Sequence, residues 1–530
     1  MPAKKPARPA ARKPAAKAAP RAAASAGQDI DTDVLIIGGG LAGFTTAVGL
    51  KDAGLRVTLV EKSDELGGRA RSWTDPVTGD PVHIGPHIFL NKYPNMFRLM
   101  EELGTMDLVD WQDEGHFITV VHGQMEVPMK SNQRLPAPFH FTRSLINDKT
   151  TPPAHALSQL PVTAYALSLT EKELLRLDNI NASAFLRSMG VSEFMIQHFW
   201  GFACMAIMNV PVELCSAGAL LRFYAGLVGM SSMRIGFPAA GLSDLYIPQS
   251  LRIMDTAGMQ VIQGVGVREI TGDESKATGA LLEDGRRIRA KTVVAALTPQ
   301  ALRLVSRREW IKNYKVFHDL VYFQASPYVS TYLWFDRKLT DKKFWARAYD
   351  LNDLNCDFYD LSNINKGWQG RNSLITTNCI YCERAAHMSD EEIVAETVRE
   401  LSEYLPEAAT AKLEHAVVNR IPMAIHCPYP GMEQRRAPTI TPVKNLVLAG
   451  DWLATGLPSC MENACLTGWQ AAEAVLGMHG RPVPQLSIPF GVGNLEGAAG
   501  LWNRIGRAIP LDPISGLLRS RRNTRAPWVA

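Results

Sequence analysis

At 530 residues, 46% of them hydrophobic and 20% charged, the chain is too long for one simple core and too apolar to stay unfolded, so a soluble protein of two domains is expected. Its formal charge of +4 sits at the ends: residues 1–28 carry seven Lys or Arg and no acid, and residues 504–530 carry six Arg against Asp512, which leaves the body between them net acidic. Specific nucleic-acid binding is not expected of such a body, nor is a membrane span, because the longest apolar candidate, Phe202 to Met230, is broken by Pro211, Glu213 and Arg222.

In chain order, residues 1–28 are Ala, Pro, Lys and Arg with little that could form a core. They read as a disordered basic tail, a solubilising extension in preference to an arm for lipid or nucleic acid. The apolar centre of a secretory signal is missing, so a cytoplasmic location is expected. The eight scattered cysteines suit a reducing compartment, and the one C-x-x-C, Cys379 to Cys382, reads as packed thiols because no second pair completes a zinc site.

The run Asp33-Val34-Leu35-Ile36-Ile37 stops at Gly38-Gly39-Gly40, and a helical pattern follows from Leu41 to Ala53. Strand, glycine turn and helix in this order form a dinucleotide cradle. Gly38 makes the turn, Gly40 leaves room for phosphates, and Gly43 lets the helix approach the strand. The helix-start N–H groups, around Leu41 and Ala42, would face the pyrophosphate. A second strand from Arg56 delivers Glu61 eighteen residues after Gly43, where a carboxylate can hold an adenosine ribose. Lys62 follows, and then Gly67-Gly68-Arg69-Ala70-Arg71 offers further backbone donors and fixed positive charge.

This second cluster resembles the flavin enzymes of the amine oxidase and phytoene desaturase superfamily, in which the Gly-Gly-Arg segment contacts FAD. Gly85-Pro86-His87-Ile88-Phe89 with Tyr93-Pro94-Asn95, and Trp334-Phe335-Asp336-Arg337-Lys338-Leu339, resemble plant-type carotenoid desaturases. The chain departs from that pattern at His83, where those enzymes carry an acid. From Trp111 to about Ser250 the residues are rich in Met, Phe, Leu, Tyr and Trp, strand–helix alternation fades, and helices are expected near Ser183 to Met189 and Glu193 to Ala206. The concentration of Met and aromatics around Phe199 to Met208 suits either ordinary core or an irregular apolar cavity.

Alternation returns at Gln260 and at Val267, and Asp284-Gly285 marks a hairpin turn before the buried run Val293 to Ala296. The resemblance implies that the Val267 backbone touches the adenine side of FAD. Ser389 with Glu392, and Ser459 with Glu462, have capping-box spacing. The far end, Asn445-Leu446-Val447-Leu448-Ala449-Gly450-Asp451-Trp452 followed by Gly456-Leu457-Pro458-Ser459-Cys460-Met461-Glu462, reads as strand, loop and helix. Its wording is closer to hydroxysqualene dehydroxylase. By resemblance, Gly450 and Asp451 hold the ribityl or pyrophosphate region, and the helix starting at Met461 points at the flavin.

The expected fold is thus α/β with α+β insertions. A Rossmann-like FAD-binding domain of the amine oxidase/phytoene desaturase type comprises residues 29–110, 251–305 and 440–480. A discontinuous substrate domain, largely helical, comprises 111–250 and 306–439, and a Pro/Gly linker with a basic amphipathic tail covers 481–530. In that tail, Leu501 to Arg507 and Leu517 to Arg522 fit either peripheral contact with an anionic membrane or a short docked helix.

No nucleophile–base pair or metal-ligand spacing stands out. His87, Asp451 and Glu462 are the polar groups expected nearest the flavin, as cofactor-orienting groups before catalytic ones. The resemblance implies an FAD-dependent desaturase of a long apolar isoprenoid, such as a carotene precursor, with a quinone as candidate electron acceptor. Alternatives are a hydroxysqualene dehydroxylase-like enzyme, a flavin amine oxidase, and a flavoprotein with a structural or partner-binding role.

Overall fold

The computed structural model describes residues 29–508, apart from 133, 348–351, 382, 492 and 493. Strand Ile30–Ile37 is central in a seven-stranded sheet. It runs parallel to Val57–Val60 on one side and to Arg287–Ala295 on the other, and Gln260–Ile262 extends the parallel part beyond Val57–Val60. Val34 to Ile37 are at most 3% exposed, because a parallel strand covered on both faces can be apolar throughout.

Strand Arg287–Ala295 has two partners in succession. Its first half pairs antiparallel with Ala277–Leu282, which pairs with Val267–Gly272; its last three residues pair parallel with Leu446–Leu448. The strand from the far end of the chain therefore lies in the same sheet as the first one. The first helix, Leu41–Gly49, is packed between this sheet and the closing helix, Met461–Met478. Two close approaches require glycine: a Cβ on Gly43 would lie 2.0 Å from the Gly38 carbonyl oxygen, and one on Gly468 would lie 2.7 Å from the Ala42 oxygen. The fold is α/β, as expected.

A second seven-stranded sheet has the order Leu413–His426, Ala325–Phe335, Leu374–Ile380, Asp357–Asp360, Phe344–Arg347, His116–His122 and Met125–Lys130. Its neighbours are antiparallel except Phe344–Arg347 with His116–His122. The last two strands correct the sequence reading, which lost strand character after Trp111. Met125–Lys130 does alternate, with Val127 and Met129 half-buried toward the cavity and Glu126, Pro128 and Lys130 exposed, but the run is short and contains a proline. Helices do form at Ala182–Ser188 and from Glu193–Met195, the latter continuing as π-helical turns through Ile196–Gly201 and Cys204–Met208. The Ser389–Glu392 capping box is present.

Cys379 is buried in Leu374–Ile380 and is disulfide-bonded, not a packed thiol; Cys382 lies outside the described residues. The helix Gly497–Ala508 docks on Leu160–Ser168, where Trp502 Nε1 donates to the Ala164 oxygen at 3.0 Å and Asn503 Nδ2 to the Leu167 oxygen at 2.8 Å. Leu501 and Ile505 on it face outward. The basic tail 1–28 and the segment Leu517 to Arg522 lie outside the described residues. Among the described residues no helix is long and apolar enough to cross a membrane.

Candidate functional site

The carboxyl ends of the parallel strands open onto a cavity of about 800 Å³, the position at which open α/β sheets bind ligands. Its floor is the glycine turn. The Gly39 N–H donates to Glu61 Oε2 at 2.7 Å, the Ser63 N–H to Glu61 Oε1 at 2.9 Å, and the Gly67 N–H to the Gly39 oxygen at 2.8 Å. Gly40 forms a bridge with Gly67, so the two glycine clusters lie side by side. The first helix begins at this point with neither a capping side chain nor an acid in its first turn. Its opening N–H groups are therefore free to meet an anion. A Cβ built on Gly40 meets no protein atom within 4 Å, because it points into the open cradle.

The opposite wall comes from the far end of the chain. Arg69 Nη2 donates to Asp451 Oδ1 at 2.6 Å and its Nη1 to the Ala424 oxygen at 2.9 Å. Ser459 donates to the other Asp451 oxygen, and Asn463 Nδ2 to the Asp451 backbone oxygen at 2.5 Å. Burial opposes ionisation of Asp451, but Arg69, His426 and these hydrogen bonds outweigh it, and its carboxyl titrates below the ordinary range. The loop from Gly450 to Ser459 is anchored from beneath by Arg436, which donates to the Trp452 oxygen at 3.0 Å and the Leu457 oxygen at 2.7 Å and pairs with Glu433. Arg222 completes that buried network on Glu433 at 3.0 Å. Burial and the neighbouring Arg436 push the imidazole of His426 down to about 4.

Of the residues expected to hold the cofactor, Gly38, Gly40, Leu41, Ala42, Glu61, Gly67, Gly68, Arg69, Gly450, Asp451 and Met461 line the cavity together, and so does His87. Burial lowers the imidazole of His87 below its ordinary value, with Nδ1 against the Gly85 oxygen at 2.8 Å opposing the shift. Gly43 lies behind the turn as a packing residue. Lys62 is exposed and pairs with Glu283 at 3.6 Å, and Val267 starts a strand beside the cavity without lining it. Glu462 is not brought to the cavity, and with Ser459 it forms no capping box. Cys460 is the helix N-cap, and Glu462 turns toward helix Pro94–Leu103, accepting from Asn95 N at 3.1 Å and Met96 N at 2.8 Å. The Ser459 hydroxyl is taken by Asp451, a partner that spacing within one helix start does not reveal.

Sequence reasoning missed a polar group in the cavity wall formed by Tyr328, Asp357, Tyr359 and Asn378. Asp357 and Asp360 bracket a short apolar run with no basic residue among them, but nothing local shows which neighbours they face.

The sequence model of the flavin containing amine oxidoreductases matches residues 41–476. Curated relatives include 15-cis-phytoene desaturase, chloroplastic/chromoplastic, of Capsicum annuum, 26% identical over 462 residues that cover 84% of this chain and 78% of that protein. Zeta-carotene desaturase of a Synechocystis species is 25% identical over 481 residues, covering 84% and 98%. Among solved structures, cyclohexylamine oxidase from Brevibacterium oxydans superposes with a TM-score of 0.66 at 18% identity, over 85% of this chain and 100% of that one. Putrescine oxidase bound to putrescine gives 0.65 at 16%, over 85% and 100%; these two share the fold. The open Gly40 cradle, the uncapped helix, and the Arg69–Asp451 pair that joins the two ends of the chain all fit the cofactor of that family. The chain belongs to the flavin containing amine oxidoreductases, within the amine oxidase/phytoene desaturase superfamily, and is an FAD-dependent oxidoreductase.

Proposed function

We propose that the protein desaturates a long apolar isoprenoid of the kind from which carotenes are made. The observation that carries this reading is the cavity itself. It runs from the Gly40 cradle and Met461, past Leu90, Phe117, Phe199 and Phe202, to Phe139, Leu145 and Leu160, and most of its surface is apolar. Its volume of about 800 Å³ includes the cofactor cradle, and beyond Met461 its walls are the apolar ones that a hydrocarbon requires. The names of the curated relatives support the same substrate class.

When bound, FAD supplies a hydride acceptor. The chain's own residues supply placement and dryness. The glycine turn and helix start would hold the phosphates, Glu61 the ribose, and Arg69 with Asp451 the middle of the cofactor, with Val267 and Lys62, outside the cavity lining, assigned to its adenine end by the family resemblance. His87, uncharged, orients groups without delivering a proton. The apolar walls exclude water and align the chain of carbons, which supplies the entropy side of the barrier.

Phe139, Leu145, Ile146, Leu157 and Leu160 are all at least half exposed around the outer end, with Arg143 and Lys149 among them. Such a collar fits a protein that sits in the cytoplasm, docks on an anionic lipid surface and draws substrate, and a quinone acceptor, from it. On this reading the collar is the membrane-facing element, and among the described residues of the C-terminal helix Leu501 and Ile505 are the exposed large apolar ones.

Hosts making phytoene, squalene or hydroxylated forms of either test the reading. Expression should change the double-bond count or oxygenation of one of these pools, and the change should vanish in Gly40→Val. Four unchanged pools, in cells that accumulate the yellow protein, would overturn it.

A further inference from the structure

The wall of the long, mostly apolar cavity holds a polar cluster that brings a buried acid together with an amide and two phenols. Asp357 and Tyr359 come from strand Asp357–Asp360, Asn378 from Leu374–Ile380 and Tyr328 from Ala325–Phe335, three adjacent strands in which Asp357 lies opposite Asn378 and Tyr328 opposite Ile380. All four side chains line the cavity. The cluster is at the cofactor end, because Asn378 Oδ1 lies 3.6 Å from the position of a Cβ on Gly85, two residues before His87.

Asp357 is 5% exposed. Its Oδ2 accepts from the Tyr359 hydroxyl at 3.0 Å, and its Oδ1 is buried without a well-aligned hydrogen bond, although the Asn378 side chain and N–H lie near enough to the carboxyl to favour its charged form. Burial pushes the carboxyl up to about 7, with the Tyr359 hydroxyl and the Asn378 amide offsetting only part of the effect. An acid buried without a full set of well-aligned partners is costly, and a hydrocarbon lying across the carboxyl would leave that cost in place. A hydroxyl lying there would offset it: its O–H donates to the Asp357 carboxyl while its oxygen accepts from Asn378 or from the protonated acid.

We propose that Asp357, flanked by Asn378 and Tyr328, is a specificity-determining subsite that recognises a hydroxyl on an otherwise apolar isoprenoid. The proposal rests on the isoprenoid reading of the cavity and deepens it: the substrate carries one oxygen, placed within the cofactor end of the cavity. The residue acts by binding and orientation, and its partners Tyr359 and Asn378 hold it in place.

The test uses the full-length FAD-loaded protein with two probes, geranylgeraniol and the hydrocarbon that lacks its hydroxyl, titrated by quenching of tryptophan fluorescence. The alcohol should bind more tightly by on the order of tenfold to a hundredfold. Asp357→Leu should erase the preference by weakening the alcohol and strengthening the hydrocarbon, with FAD content unchanged. Asp357→Asn should keep part of it, since an amide both donates and accepts. Equal affinity for the two probes on the unmutated protein overturns this proposal and leaves the isoprenoid reading standing. So does a preference that survives in Asp357→Leu. Failure of both probes to bind overturns both readings.

Discussion

Gly40 is the residue at which the cofactor and the fold can be separated. Its backbone is extended, with φ −87° and ψ −178°, a conformation open to any residue, and a Cβ there meets no protein atom. Gly40→Val should therefore leave the apoprotein as stable as before and exclude the phosphates alone. The flavin-to-protein absorbance ratio should fall to background while the melting temperatures of the two apoproteins agree within error. A variant that stays yellow would remove the phosphates from this turn. Gly38, Gly40 and Gly43 were legible in the sequence because their spacing lies within one strand, turn and helix, although Gly38 is also pressed against the Ala296 oxygen from a distant strand and Gly40 bridges Gly67. Asp451 was legible only through resemblance, since its partner Arg69 is 382 positions away. Glu462 was misread for the same reason: spacing pairs it with Ser459, but its carboxylate binds Asn95 and Met96 across 367 and 366 positions. Asp357 escaped notice because no local pattern marks an acid whose surroundings come from neighbouring strands.

At the scale of elements, Glu462 joins two helices. From the first turn of Met461–Met478 it receives the opening N–H groups of Pro94–Leu103 and the Asn95 amide at 2.6 Å, so it caps a helix other than its own. It is 2% exposed, and burial pushes its carboxyl up to about 7 despite these donors. A raised acid binds its proton more tightly in the folded state than in the unfolded chain. Its contribution is therefore greatest below the unfolded value of about 4.5 and is lost as pH rises toward 7. Subtracting the urea-melt stability of Glu462→Gln from that of the unmutated protein removes every other group common to both. The difference should decline by on the order of 3 kcal/mol between pH 4.5 and 7; a flat difference would show that Glu462 titrates alike in both states. Of this pair, only the helix after Ser459 was read in the sequence. Its capping of Pro94–Leu103 was not, for it exists only once the two are packed.

At the scale of the whole molecule, the cofactor site is closed by the last hundred residues. Leu446–Leu448 covers Val293 to Ala295, Met461–Met478 covers the first helix through Gly468, and Asp451 meets Arg69. The sequence carried this closure in outline, as two cofactor motifs at opposite ends of the chain, while the antiparallel sheet between them was only partly legible because its outer strands are polar or exposed. A chain ending at Lys444 exposes the edge of strand Arg287–Ala295 and bares the face of the first helix that carries Ala42, Thr45, Thr46 and Gly49, where Thr45 and Thr46 are fully buried in the whole chain. With a burial of roughly 25 cal/mol per Å² forfeited across that helix face and an open strand edge created, it should yield protein that neither melts cooperatively nor retains FAD. A chain ending at Ala508 keeps every contact described here and should retain FAD at the full-length ratio. Both are read from flavin content after gel filtration and from thermal melts. A yellow, cooperatively melting chain that ends at Lys444 would mean that the first glycine turn, with Glu61 and Gly67, holds the cofactor without the wall that Asp451 supplies.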